Sequence, residues 1–478
     1  MTVMFWPVII FMAISLAVGV YTYTQVRGSS KRFTVCGKSM PFLMVGTALM
    51  AQAVDGNATL GNASLTYSSG IWAGLMIPIG LALSLLIVGK FLAAPLNAMN
   101  LLTLPEFFYL RYSRSTELLV SMLTVVCFTI VIAGNLAAVA WLLSVVSGWS
   151  FGLCLAITTA VILAYTVAGG LYSAIWTDLF QIHVALIGFV GAAIWVVYSQ
   201  GLDGVTAFVP AARLDFSGLT ELASGSLVNW AGMIALALGN TVALDFMERV
   251  FSAKTPETAK RACYYAAAQT LLIGSACTLI GVAAISAVRD VADPRMVLPV
   301  FATDHLPYLL GVAVFVGVLG ASMSTANGAM LVISVVLARN VIQRWTQRNM
   351  PDAKLLLLSR VMAVPAALLA AAVAYKYPEP GLLLVIAFDI VFAGCVVPLF
   401  MGVHWPKANS RGAVASIVTG TAARLVTFAV TPAHLAGLDT LVPPAISLVV
   451  FVAVCSMSEA PADSGVKERL MEPEVAEG

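Results

Sequence analysis

Apolar residues in this chain neither alternate nor recur on one side of a helix. They run on for roughly 20 positions at a time, the length an α-helix needs to cross a bilayer. Thirteen such stretches are predicted as spans: 3–26, 41–66, 70–93, 116–147, 150–168, 176–200, 226–250, 262–288, 306–338, 355–376, 380–403, 412–431 and 441–457. The first begins Met1-Thr2-Val3-Met4 with no basic leader and outruns a signal-peptide core, so it is expected to remain as a helix.

Two of these stretches are interrupted by residues that lipid does not tolerate. Span 41–66 carries Gln52, Asp55, Gly56, Asn57 and Asn62 where hydrocarbon is expected. Irregular backbone at membrane depth persists only where it is buried in protein or lines a cavity, and an ionisable residue there marks a functional site. Span 226–250, five spans later, carries Gly239-Asn240-Thr241 and Asp245 at a comparable depth. Paired interruptions in corresponding positions point to an inverted-repeat transporter, and the odd spacing gives the two units opposite topology.

The composition agrees. The chain has 478 residues, 60% hydrophobic and 10% charged, with a mean hydropathy of +0.96. A soluble protein of this size needs about a quarter charged residues. Placing the N-terminus outside puts twenty Lys and Arg residues in the cytoplasm, among them Arg27, Lys38, Arg111, Arg249 and Arg339. Only Arg213, Arg289, Arg295 and Lys376 then fall outside, with Arg424 inside a span. The net charge of +2 is spread over loops and carries no signature of nucleic-acid binding. The seven cysteines and four histidines show no paired or metal-ligand spacing. No cofactor is expected, nor a metal beyond a coupling ion, and no nucleophile–base set suggests an enzyme.

Four segments follow from this pattern: an extra N-terminal helix and loop at 1–40, a transporter core at 41–404, two C-terminal helices at 405–457, and a polar, disordered cytoplasmic tail at 458–478. The 201–225 connection is the longest one outside. A third informative stretch is Gly320-Ala321-Ser322-Met323-Ser324-Thr325-Ala326-Asn327-Gly328, where the hydroxyls of Ser324 and Thr325 suit a small hard cation. Small and hydroxylated residues also serve close helix packing, and the stretch alone does not choose between the two roles.

The order of motifs resembles the sodium:solute symporters, a family of sodium-coupled carriers of sugars, proline, pantothenate and choline. The matching stretches are the run from Tyr165 to Gln181 containing Ala168-Gly169-Gly170-Leu171-Tyr172-Ser173, Asp245-Phe246-Met247-Glu248-Arg249-Val250-Phe251-Ser252-Ala253-Lys254, Ser324-Thr325 followed by Ala338-Arg339-Asn340, and Asp389 with Pro398. The choline branch is nearest in look, through Pro78-Ile79-Gly80 to Pro95 and the region from Phe301 to Arg339. The resemblance implies an all-α integral-membrane fold, the LeuT-like inverted five-plus-five helix repeat, with one extra N-terminal and two extra C-terminal helices.

It also implies a sodium site made of the Ala51, Val54 and Ala321 carbonyls and the Ser324 and Thr325 hydroxyls. Asp178 matches a family acid tied to ion exit or a second cation, though it equally suits a helix-terminal carboxylate meeting nearby amides. Where choline carriers place a tryptophan cage, this chain has Ala53, Val131 and Ala243, so choline itself is not expected. Asp55 replaces the usual glycine and Asn327 a common aspartate.

Candidate substrate contacts are Gln52, Asp55, Asn57, Asn135, Trp141, Asn240 and Thr241. Asp55 is open to pairing with an ammonium group, taking up a proton, adding charge to the sodium shell, or capping the half-helix beyond Gly56. Interhelical bonding competes for the amides and Thr241, and packing for Trp141. Arg249, close to the end of its span, is expected as an interfacial anchor.

The expected function is sodium-coupled symport of a small polar solute, nitrogen-containing and cationic or zwitterionic, across the cell inner (plasma) membrane. The N-terminus lies outside and the C-terminus in the cytoplasm. The expected partners are the solute, the sodium ion and the lipid bilayer, with no nucleic acid. The pattern carries no signal for an oligomeric state. The rivals are a proton-coupled carrier of a carboxylate or uncharged solute and a carrier-like membrane sensor.

Overall fold

A computed structural model describes residues 3–288, 293–346, 349–378 and 380–458. Arg289, Arg348 and the predicted tail beyond Ser458 lie outside the described residues. Helices account for nearly all of it. The long elements begin with α1 (Phe5–Tyr21), α2 (Phe42–Ala53), α3 (Gly56–Ser69), α4 (Ile71–Ile87), a short α5 (Leu104–Arg111), α6 (Arg114–Ser147), α7 (Phe151–Gly169) and α8 (Leu171–Thr206). They continue with α9 (Ser226–Gly239), α10 (Leu244–Ser252), α11 (Pro256–Ala287), a short α12 (Val297–Asp304), α13 (Tyr308–Val336), α14 (Asp352–Lys376), α15 (Pro380–His404), α16 (Ser410–Val430) and α17 (Leu438–Met457).

Among the described residues, eleven helices are long and apolar enough to cross a membrane, or twelve when the bent pair Ser226–Val242 and Leu244–Ser252 counts as one span. The predicted span 41–66 divides into α2 and α3. The second of these is Gly-Asn-Ala-Thr-Leu-Gly-Asn-Ala-Ser-Leu-Thr-Tyr-Ser-Ser, too short and too polar to be a span by itself. A stretch like that is tenable at membrane depth only inside protein. Asn57, Thr59, Asn62 and Thr66 are indeed buried.

The helices fall into two series of five. One is α2/α3, α4, α6, α7 and α8; the other is α9/α10, α11, α13, α14 and α15. Each has a broken first member, and each carries a short helix (α5 or α12) between its second and third members. The first two members of both series pack together, with α11 and α9 on α4 and α11 along α2 and α3. The third and fourth members form a second group, in which α6, α7, α13 and α14 all touch one another. Helix α1 lies against α7 and α8, while α16 and α17 pair with each other and cover α15.

Small residues make the close approaches possible. A Cβ on Gly188 would lie 2.6 Å from the backbone of Ala313, and one on Gly317 would lie 2.8 Å from Ala185 Cα. These two glycines set the tight crossing of α8 and α13.

Candidate functional site

The first break follows from its residues. The helical ladder of α2 stops with Val54 N donating to Met50 O (2.9 Å), and Val54 itself is non-helical at φ −100°, ψ 69°. Asp55 is extended (φ −84°, ψ 172°) and caps α3, its Oδ1 accepting from Ala58 N at 2.6 Å. An aspartate before a helix start satisfies an amide that the ladder cannot. The same geometry deprives the last carbonyls of α2, including those of Ala51 and Val54, of continuing donors.

The break presses on the middle of α13. A Cβ on Gly56 would fall on Ser322 Oγ and lie 3.3 Å from Val318 O. Ala51, Val54, Ala321, Ser324 and Thr325 are all buried on these two facing segments. The Thr325 hydroxyl has no protein partner. Ser324 Oγ donates to Asp178 Oδ1 (2.5 Å), so the implied ion-exit acid touches one of the implied sodium ligands.

Asp178 also meets a partner that the sequence reading placed elsewhere. Arg249 is not an interfacial anchor. It is fully buried, and its Nη2 lies 3.0 Å from Asp178 Oδ2, also fully buried. Arg249 Nη1 donates to Asp245 O at 3.0 Å. With its carboxamide turned to satisfy both ends, Gln52 donates to Asp245 Oδ2 (3.2 Å) and accepts from Arg249 Nη2 (2.8 Å). Gly328 makes room here, since an added Cβ would lie 3.1 Å from Arg249 Nη2. A guanidinium in the membrane interior needs such a set of acceptors. Gln52 is therefore committed to this network.

A cavity of about 780 Å³ opens on the face that carries residues 293–296 and 436–440. Its lining includes Asn57, Leu60, Gly61 and Ser64 from α3 and Ala138, Trp141, Leu142 and Val145 from α6. Trp141 is 39% exposed and packs on Phe151. Asn135, one turn below Ala138, is buried and donates to Asp55 Oδ2 at 3.1 Å, as does Asn57. Asp55, Asn57 and Asn135 thus form one buried cluster, of which Asn57 reaches the cavity wall.

Asn240 and Thr241 do not join it. Asn240 Nδ2 donates to Leu236 O (2.9 Å) and Thr241 Oγ1 to Leu238 O (2.5 Å), so both side chains bond their own helix beside the second break. Asn327, at the position where relatives often carry an acid, accepts from Thr166 Oγ1 at 2.8 Å.

The sequence reading passed over a charged group in the cavity wall. Arg424 on α16 pairs with Asp389 (2.7 Å) and Asp439 (3.1 Å), and Thr440 donates to Asp389. A lone arginine inside a span is the signal that would have found it.

The opposite face is closed. Arg339 is paired with Glu106, Asn340 donates to Glu117 (2.8 Å), and Arg111 donates to Gly402 O (2.8 Å). Burial pushes the Glu106 carboxyl up, but Arg339 and the Leu102 amide hold it below the ordinary glutamate range. Asn97 closes the same side with bonds to Val250 O and Ala253 O.

Comparison with known proteins places this geometry. The model of the sodium:solute symporter family matches residues 33–420. A sodium/glucose cotransporter of Vibrio parahaemolyticus is 24% identical over 86% of this chain and 82% of its own length. The human high affinity choline transporter 1 is 25% identical over 87% of this chain and 75% of its own length. Among solved structures, a Na+-coupled sialic acid symporter in a substrate-bound, outward-open state superposes with a TM-score of 0.83 at 17% identity, covering 96% of this chain and 98% of that one. The two series of five helices are the LeuT-like inverted repeat, flanked by α1, α16 and α17.

Proposed function

The chain belongs to the sodium:solute symporter family, and from that membership we propose that it imports a small polar, nitrogen-containing solute, cationic or zwitterionic, coupled to sodium. In this reading the cavity faces the outside of the cell membrane, the N-terminus lies on that side, and the closed face is cytoplasmic.

The observation that carries the coupling is charge. Asp55, Asp178, Asp245 and Glu248 are all buried, and the described residues place one buried guanidinium, Arg249, among them. Asp245 lies within electrostatic reach of both Asp55 and Arg249. Buried carboxylates in excess of cations are costly, and a bound cation restores the balance. The free carbonyls of Ala51 and Val54, the carbonyl of Ala321 and the hydroxyls of Ser324 and Thr325 would supply sodium with oxygen ligands beside that charge. Asp178 would draw the ion onward toward the closed face.

Radiolabelled sodium binding to the purified protein tests this. Thr325→Ala, alone or with Ser324→Ala, is expected to weaken sodium affinity at least tenfold, and undiminished binding would remove the site. Proton coupling is the second reading, favoured by the unpartnered, buried Oε2 of Glu248. It predicts solute accumulation driven by a pH gradient in sodium-free vesicles.

A further inference from the structure

Two carboxamides beside the cavity have a fixed orientation, Asn57 in its wall and Asn135 buried behind it. Asn135 Nδ2 donates to Asp55 Oδ2 and to Val131 O, both at 3.1 Å. Asn57 Nδ2 donates to the same Asp55 Oδ2, also at 3.1 Å. A carboxylate oxygen and a peptide carbonyl only accept, so the NH2 end of each amide must face them. The consequence falls on the other ends. Oδ1 of Asn57 and Oδ1 of Asn135 are both buried and neither has a protein partner. Buried acceptors left unmet are costly, and the one on Asn57, in the wall of a ligand-sized cavity, is a vacancy for a donor.

Asp55 does not offer its own oxygens to the cavity in the same way. Its Oδ1 is taken by Ala58 N and its Oδ2 by the two amides. The directional contact to the cavity comes from Asn57. Around the break, the buried Ala53, Val131 and Ala243 supply no aromatic face for a quaternary ammonium.

We propose that Asp55, held together with Asn135 behind it, is a positioning residue that fixes Asn57 with its carbonyl oxygen turned to the solute, so that the carrier selects ammonium groups that bring an N–H donor, primary or secondary, over quaternary ones. This inference rests on the transport reading above. Asp55→Asn is the informative variant. Asparagine keeps an oxygen to cap α3, but its own NH2 then faces the two amide NH2 groups. At least Asn57 turns over and presents a donor in place of an acceptor.

The experiment uses the full chain, purified in sodium-containing buffer. The probes are glycine, L-proline and ethanolamine, each paired with its fully N-methylated counterpart (glycine betaine, proline betaine, choline). Binding is read from the fluorescence of Trp141 in the cavity wall and from the shift in melting temperature. At least one amine is expected to bind ten times or more tighter than its methylated partner. In Asp55→Asn that ratio is expected to fall to within about twofold, at a melting temperature near that of the unaltered protein.

Equal binding of amine and methylated partner overturns the inference, as does failure of every amine to bind, or a ratio untouched by Asp55→Asn. The ratio in the unaltered protein stands as a test even if the variant does not fold. Sodium binding on the same samples separates the two readings: intact sodium binding with a flat ratio sinks only the selection of donors, whereas absent sodium binding sinks the coupling.

Discussion

The two broken helices look alike in the sequence and are used differently. At the first break the backbone opens and the side chains reach beyond their own helix. Asp55 caps the new helix and organises Asn57 and Asn135, while Gln52 reaches Arg249 and Asp245. At the second, Asn240 and Thr241 fold back onto carbonyls of their own helix, and the bend of 48° passes with its polar groups already satisfied. What this element contributes comes a turn or two later, where Asp245 and Arg249 enter the buried charge network. A helix interruption therefore marks where backbone polarity is released, and the side chains around it decide whether that polarity is offered to a ligand or absorbed.

The largest expected effect tests the second half of this comparison. Arg249→Ala leaves Asp178 buried with no counter-charge and is expected to cost about 3–5 kcal/mol, read by unfolding in detergent. Adding Asp178→Asn should recover part of that loss, and no recovery would mean the two act separately. Next comes Asp55→Ala, which removes the cap and frees both amides. A loss of about 1–2 kcal/mol is expected from the cap, with solute binding falling more steeply than stability. The smallest effects belong to Asn240→Ala and Thr241→Val, each expected to cost about 0.5–1.5 kcal/mol, the worth of one internal hydrogen bond. Neither should change solute preference. A shift in preference from either one would show that the second break also reads the solute.

Much of the architecture was legible because hydrophobic runs of membrane length carry their own signal, and because Gly, Asn and Asp cannot sit in lipid without cause. The break at Asp55-Gly56 was found for that reason. Its cap was one of four roles left open for Asp55, and the Ala58 amide shows that role filled. Helix α3 fell inside the predicted span 41–66, but its polar sequence gave no sign of how far it continues, to Ser69. Arg249 was misread for a different reason. A basic residue near the end of a span usually reaches for the interface, and its partner Asp178 lies 71 positions earlier on another helix. Nothing local in either segment announces the pair. Orientation of the two asparagines was beyond reach for the same cause: it depends on which acceptors α3 and α6 bring together.

The contact between Gly56 and Ser322 bears on how such a protein moves. It joins the group containing α2, α3, α4 and α11 to the group containing α6, α7, α13 and α14, and it leaves no space for even one methyl group. If the two groups rock against one another, a contact made with bare backbone is where a bearing would sit, with the shortest lever there and the widest swing at the far ends. An alanine at position 56 would act as a wedge in the joint, so the size of one hydrogen atom sets how freely the machine turns.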